Sequence, residues 1–397
     1  RRPFLNPFAM RQIPAEFDDI RPYADHEVRE QFEVLLRDRL FMRILRGFVP
    51  LPAAIIRGFL RLTCMGVNSA LGFQKRYMYR VMQILIAHTT RQLTFDHSAI
   101  PTHTAGYTFI SNHRDIVLDS AFLDVRLIKA GFPNTVQIAI GDNLLVYPWI
   151  ERFVRMNKAF IVRRSVGKRE LLDASHHMSR YMHWVIAGKD DNIWIAQREG
   201  RAKDSSDHTQ PSVLRMMALG GEGSAWENLR DMHLVPLTIS YEYDPCDYLK
   251  AKEFQLKRDN PAYKKTKQDD LDNMRTGIMG KKGRVHYCLA PCADAWIDDY
   301  RALPDKEMFE AVAARIDREI HARYRLYPGN YIAADLLEQS NRFAAQYDTN
   351  DVRVFEQYLD SRLALIDLPE KDEPYLRQCL LTMYANPLYN YLKAHEQ

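Results

Sequence analysis

The stretch FISNHRDIVLDSAFL, Phe109 to Leu123, carries the residues best suited to chemistry. His113 sits just past an apolar run, and Asp119 lies six residues on, among Ile116, Val117, Leu118, Ala121 and Phe122. A histidine beside a carboxylate can act as a general base, because the carboxylate fixes its tautomer and stabilises the imidazolium. On an ideal helix six residues turn through about 600°, which does not align two side chains. The chain must therefore leave helical geometry between the two, and a strand-to-helix turn supplies that freedom. Asp115 suits a helix N-cap. Asp119, in an apolar setting that removes competing water, is the favoured partner of His113, with Asp115 left open as the alternative.

Two more stretches place charge at the end of an apolar β run. KAFIVRRS, Lys158 to Ser165, ends on Arg163 and Arg164. QREGRAKD, Gln197 to Asp204, contains Glu199, Gly200, Arg201 and Lys203. Guanidinium forks at a strand end suit a phosphate or carboxylate, which they bind through two parallel hydrogen bonds. A third stretch, LVPLTISYEY from Leu234, puts Pro236 near the start of a strand, at the expected wall of an apolar channel. Together these ends describe one cleft holding a base and a phosphate cradle.

The elements that must position them read as α/β. Short strands rich in branched or aromatic residues are expected at Tyr107–Ser111, Val136–Ile140, Ala159–Arg163, Asn192–Gln197, Leu234–Tyr241 and Arg284–Leu289. Helical spacing falls between them at Asp119–Lys129, Leu144–Arg155, Arg169–Ile186 and Ser212–Leu219. The alternation predicts a mixed central sheet flanked by helices, with ligands at the carboxyl ends of strands. No Gly-x-Gly-x-x-Gly follows any of these strands, which argues against a dinucleotide fold. Three regions follow: a basic helical region over 1–95, a catalytic domain over 96–300 and a helical region over 301–397. In the last, helices are expected at Asp305–Arg325, Asn330–Tyr347, Asp351–Ile366 and Pro374–Ala394. The polar run Lys257–Asp270 reads as a mobile surface loop.

The net charge of +4 does not call for nucleic acid, but it is unevenly spread. Between Asp38 and Asp96 there is no Asp or Glu, while Arg39, Arg43, Arg46, Arg57, Arg61, Lys75, Arg76, Arg80 and Arg91 are interleaved with apolar residues. Pro50 and Pro52 break this stretch into shorter helices, and no apolar run is long enough to span a bilayer. Basic, apolar-faced helices without acids suit an anionic membrane surface. The five scattered cysteines read as reduced thiols in a cytoplasmic setting, without zinc-site spacing. No cleavable signal peptide is visible.

Taken in order, the four stretches resemble the four blocks of the glycerolipid acyltransferase superfamily, which includes the glycerol-3-phosphate and 1-acylglycerol-3-phosphate acyltransferases. SNHRDIVLD resembles the His/Asp block, KAFIVRRS the second, QREGRAKD the Glu-Gly-Arg block and LVPLTISYEY the Val-Pro block. AIGDNLL, Ala139 to Leu145, resembles the segment before the second block in the glycerol-3-phosphate branch. FDDIRPYADHEV, Phe17 to Val28, is similar to a bacterial subgroup of uncharacterised members. The chain departs from the pattern in having five residues, rather than four, between His113 and Asp119. It also has Gln197-Arg198 where Phe-Pro usually precedes the Glu.

The resemblance implies transfer of a fatty acyl group to a glycerol-phosphate-type hydroxyl in phospholipid biosynthesis. The donor would be a thioester of CoA or acyl carrier protein, with no other cofactor and no metal. His113 and Asp119 would be catalytic. Asn112, Arg163, Arg164, Glu199, Gly200, Arg201, Lys203 and Pro236 would bind substrate. The expected setting is the inner face of a bacterial cell membrane, with the protein peripheral to it and no nucleic-acid partner. Two other readings stand beside this one: an acyltransferase for another acceptor such as an amino-lipid, and a lipid-binding scaffold with a degenerate site. Metal-dependent hydrolysis through His113, Asp115 and Asp119 lacks further ligands, since the adjacent His176 and His177 diverge on a helix.

Overall fold

Seven strands join into one sheet in the computed structural model, which describes residues 11–49, 51–164, 167–189 and 191–396. They are β1 Thr90–Asp96, β2 Thr108–Ser111, β3 Val136–Gly141, β4 Ala159–Val162, β5 Asn192–Ala196, β6 Leu234–Tyr241 and β7 Gly283–Leu289. Their spatial order is β1-β7-β6-β2-β5-β3-β4. Every neighbouring pair is parallel except β6–β7, so the sheet is mixed, as expected. Six strands lie where branched and aromatic residues place them. The seventh, β1, is absent from that expectation because its TRQLTFD segment buries only Leu93 and sits in a basic, helix-like stretch.

Helices α1 Asp25–Arg37, α2 Arg39–Phe48, α3 Ala53–Cys64, α4 Ala70–Phe73 and α5 Tyr79–Thr89 precede the sheet. A π-helical turn, Gln74–Met78, joins α4 to α5. Then α6 Leu118–Ala130 follows β2, α7 Pro148–Met156 follows β3, α8 Lys168–Gly188 follows β4, and α9 Pro211–Ala218 and α10 Ala225–Arg230 follow β5. Between β6 and β7 the chain makes an excursion through α11 Asp247–Asp259 and α12 Lys267–Met279. It ends in α13 Asp305–His321, α14 Pro328–Glu338, α15 Thr349–Ala364 and α16 Glu373–His395.

Alternate residues along each strand supply two cores. Phe109, Trp194 and Val235 pack with Phe122, Leu123 and Leu127 of α6 and with Met82 of α5. Ile110, Ile193 and Leu234 face the other way, onto Met178 and Tyr181 of α8, Leu214 of α9 and Val312 of α13. The central strand β2 is buried throughout, which fixes where its carboxyl end, and His113 beyond it, must lie.

The run Lys257–Asp270 is not one loop. Lys257 to Asp259 complete α11, and α12 begins at Lys267, behind a cap in which Thr266 and Asp269 exchange side-chain-to-backbone hydrogen bonds. Its polarity reflects two solvent-facing helix ends, which local capping stabilises. The expected helix Asn330–Tyr347 stops at Glu338. Gln339 turns left-handed, and the Asp335 carboxylate takes up the Phe343 N–H and the Tyr347 hydroxyl instead.

The acid-free stretch forms α2 to α5 and all of β1 but its last residue. Asp38, the acid just before it, caps α2 through the Leu40 and Phe41 N–H groups. Pro52 precedes α3; Pro50 and Ser165 lie outside the described residues. Ile55, Phe59 and Leu62 form one face of α3, and Val81 and Ile84 one face of α5, all of them exposed. Among the described residues no helix is long and apolar enough to cross a membrane.

Candidate active site

The turn between β2 and α6 brings His113 onto Asp119. The imidazole Nδ1 lies 2.8 Å from Asp119 Oδ2, and the same oxygen accepts the Arg114 N–H at 2.7 Å. Asp119 Oδ1 accepts the Asp115 N–H at 3.1 Å. An ionised carboxylate only accepts, so Nδ1 is the donor of this pair, and His113 itself lines a cavity. Asp119 is completely buried. Asp115 is used differently. Its Oδ1 accepts the Val117 and Leu118 N–H groups and starts α6. Burial, with Asp119 beside it, raises the Asp115 pKa. Gly277 of α12 packs against Asp115 so closely that a Cβ there would collide with its carboxylate.

Neighbours hold the pair in place. Trp194 meets the His113 ring edge-on at 5.8 Å and donates its indole N–H to Ser111 Oγ. The Tyr287 hydroxyl donates to the Asp119 carbonyl at 3.1 Å. Asn112 clasps β6 from both sides, donating to the Ile239 carbonyl and accepting the Ile239 N–H.

A cavity of about 1020 Å³ opens beside His113. One lobe runs along α6 past Val117, Ala121, Val125 and Ile128, faced by Tyr79 and Met82 of α5 and Phe153 of α7. From Val117 to Ile128 the helix rises about 16 Å. This lobe is apolar except for a few groups that satisfy one another. Chief among these is Asp124, whose carboxylate accepts the Gln74 amide at 3.1 Å and the Val136 N–H at 2.9 Å. Burial pushes the Asp124 pKa up to about 7.

The other lobe is mainly cationic: Arg163, Arg164, Arg198, Arg201, Lys203, Lys250 and Lys265 line it beside Glu199, Asp204 and Asp270. Arg163 is engaged elsewhere, pairing at 2.9 Å with Asp19, which lies in the N-terminal segment. Arg164 reaches Glu199 at 3.5 Å. Arg201 donates through Nη2 to Asn273 Oδ1 at 2.9 Å, while Arg201 Nη1 and Arg198 Nε are buried with no hydrogen-bond partner among the described residues. Buried donors without partners are costly unless a ligand or solvent satisfies them. Lys203 pairs with Glu253 of α11, which also holds Lys257 at 2.9 Å and Lys265 at 3.0 Å. Burial raises the Glu253 pKa, but the three ammonium groups outweigh it and hold the carboxyl at about 2. Gly200 has a positive φ of 68°, which a side chain would strain.

Of the residues singled out in the sequence, His113, Arg163, Arg164, Glu199, Gly200, Arg201 and Lys203 line this cavity. Asp119 lies behind His113. Asn112 and Pro236 are not on the cavity wall. Pro236 sits opposite Ile110 of β2, just before β7 pairing begins at Leu237. Arg198, Trp194, Lys265 and the α6 face were missed. The periodicity of Val117, Ala121, Val125 and Ile128 was visible, but which helix face meets a void is set by the tertiary packing. One group of three among the described residues could hold a metal ion, His233, Cys292 and Asp294. His233 precedes the amino end of β6, whereas His113 lies past the carboxyl end of the parallel β2. His233 and Asp294 are already bonded to each other at 2.7 Å.

Comparison with known proteins found no matching family model and no matching curated protein. Among solved structures, the chain is similar to the 1-acyl-sn-glycerophosphate (LPA) acyltransferase PlsC from Thermotoga maritima. The identity is 11% and the TM-score 0.37, over 75% of this chain and 99% of that one.

Proposed function

We propose that the chain is an acyltransferase. In this reading it moves a fatty acyl group from acyl-CoA or acyl carrier protein to a hydroxyl of 1-acylglycerol-3-phosphate or glycerol-3-phosphate. The observation that carries the proposal is the His113–Asp119 pair at the junction of an apolar lobe and a cationic lobe.

His113 Nε2 takes the proton of the acceptor hydroxyl as its oxygen attacks the thioester carbonyl. Asp119 holds the tautomer and stabilises the imidazolium that forms, the part a carboxylate plays behind a catalytic histidine. The C–S bond breaks, and the thiolate leaves with the proton held by His113. The acyl chain occupies the lobe along α6. The acceptor phosphate lies against Arg201 and Arg198, where Arg201 Nη1 and Arg198 Nε have no hydrogen-bond partner among the described residues, with Lys203, Arg164, Glu199 and Gly200 shaping the rim. Arg163 contributes less, being held by Asp19. Asn112 and Pro236 contribute through the backbone rather than by touching substrate.

Both substrate tail and product favour membranes, and the exposed α3 and α5 faces beside a basic surface suit an anionic bilayer. Acceptor-dependent thiol release from an acyl thioester, lost in His113→Ala, tests the reading. Thiol release with a lyso-aminolipid but with neither glycerol phosphate would transfer the activity to the other acceptor class. Lipid binding without thiol release from any donor would support the scaffold reading.

A further inference from the structure

The C-terminal helices, to which the sequence assigns no role, grip the loop that follows the Glu-Gly-Arg block. Asn386 and Asn390 of α16 donate to the Asp204 carbonyl at 2.7 Å and the Ser206 carbonyl at 2.9 Å. Asp317 of α13 accepts the Thr209 N–H at 2.7 Å and its hydroxyl at 2.6 Å. His321 donates to the Asp207 carbonyl at 2.9 Å. Two residues of this loop have left-handed backbones, Ser205 with φ 60° and Asp207 with φ 48°. Such conformations persist in non-glycine residues only where the surroundings over-determine them.

The held loop delivers one buried carboxylate to the catalytic turn. Asp207 Oδ2 accepts the Arg114 guanidinium at 2.5 Å, the Tyr324 hydroxyl at 2.6 Å and the Asn112 amide at 3.4 Å. Arg114 follows His113, and its own N–H occupies the Asp119 oxygen that holds the imidazole. A continuous chain of bonds thus runs from α13 and α16, through Asp207 and Arg114, to the His113–Asp119 pair. The same loop carries Arg201 and Lys203 at its other end.

We infer that Asp207 is a positioning residue, and that the C-terminal helices use it to set the catalytic histidine and the anion-binding loop in register. The inference rests on the acyl-transfer reading for its kinetic part only. A displacement of about 1 Å at the reacting groups can cost as much as 100-fold in rate, so loosening this chain should be visible without a change in fold.

Two variants test it. Arg114→Met/Asp207→Leu/Tyr324→Phe removes the buried charges together with the hydroxyl that bonds to them, a change that often leaves stability intact. Asn386→Ala/Asn390→Ala frees the loop from a distance. Each is compared with wild type in three ways: Tm, steady-state kinetics, and the proton resonance of His113 Nδ1–H, which a bond to a carboxylate moves far downfield. Expected are a Tm near wild type, a kcat lowered tenfold or more, a raised acceptor KM, an unchanged donor KM, and a His113 resonance shifted upfield or lost to exchange. Recovery of wild-type kcat along with Tm, or an unmoved resonance in both variants, overturns the inference. If the wild type transfers no acyl group to any acceptor, the reaction reading fails, and the resonance still decides the coupling.

Discussion

Asp119 Oδ2 accepts two donors at once, His113 Nδ1–H at 2.8 Å and the Arg114 peptide N–H at 2.7 Å. The second bond locks the carboxylate, so the first can fix the imidazole. Asp115 lies closer in sequence yet spends its carboxylate on the first N–H groups of α6. Asp119→Asn should present an amide donor to His113, impose the wrong tautomer and cut kcat by on the order of 10⁴-fold. Asp115→Asn keeps a cap acceptor and should keep kcat within a few-fold. Parallel kinetics on the two variants check this, and equal losses would contradict it.

Arg201 and Arg163 should differ. Arg201 Nη1 is buried with no hydrogen-bond partner among the described residues, whereas Arg163 is half-exposed and paired with Asp19. A charged hydrogen bond is worth about 2 kcal/mol, or ~30-fold. Arg201→Met should raise the acceptor KM by roughly that factor, and Arg163→Met by a few-fold at most. Acceptor titrations at saturating donor measure both.

Asp124 makes stability depend on pH. Its folded pKa is raised to about 7 by burial, from 3.8. The folded state therefore holds this proton at pH values where the unfolded chain has released it. Its contribution is most favourable below 3.8 and is lost as pH rises through about 7. Asp124→Asn cannot lose that proton. Relative to wild type, its Tm should improve from pH 5 to about pH 7 and then level off, as thermal melts from pH 5 to 8 would record. A constant Tm difference would contradict the assignment.

The exposed face of α3 should bind membranes. Ile55 is 55% exposed and Phe59 63%, so charging them costs little in the folded core. Burying one such side chain in an apolar phase is worth about 1.5–3 kcal/mol. Ile55→Glu/Phe59→Glu should lower co-sedimentation with anionic vesicles tenfold or more, with Tm almost unchanged. Undiminished binding would place the contact elsewhere.

How far these features could be read from sequence follows from the range of the interactions behind them. His113 and Asp119 were legible because an acid inside an apolar helix needs a reason, and the reason lay six residues away. The choice over Asp115 needed the shape of the turn, which apolar spacing does not encode. The strands from β2 to β7 were legible from their branched residues. The β1 strand was not, since it gains its place by pairing with β7, nearly two hundred residues later. The same holds for the site's partners. Asp19 takes Arg163, Asn273 takes Arg201, and Asp207 takes Arg114, each from a distant part of the chain. The cationic strand ends were visible as charges, but which remain unpaired is a property of the packed molecule.

Thiol release from palmitoyl-CoA and from an acyl carrier protein thioester probes the His113–Asp119 chemistry with the fewest intermediate steps. It uses the purified chain with glycerol-3-phosphate or 1-acylglycerol-3-phosphate in liposomes, beside His113→Ala and Asp119→Asn. Release should require an acceptor, vanish in His113→Ala and nearly vanish in Asp119→Asn, with both variants folded. Acceptor-dependent release that persists in His113→Ala would contradict the assignment of His113 as the base.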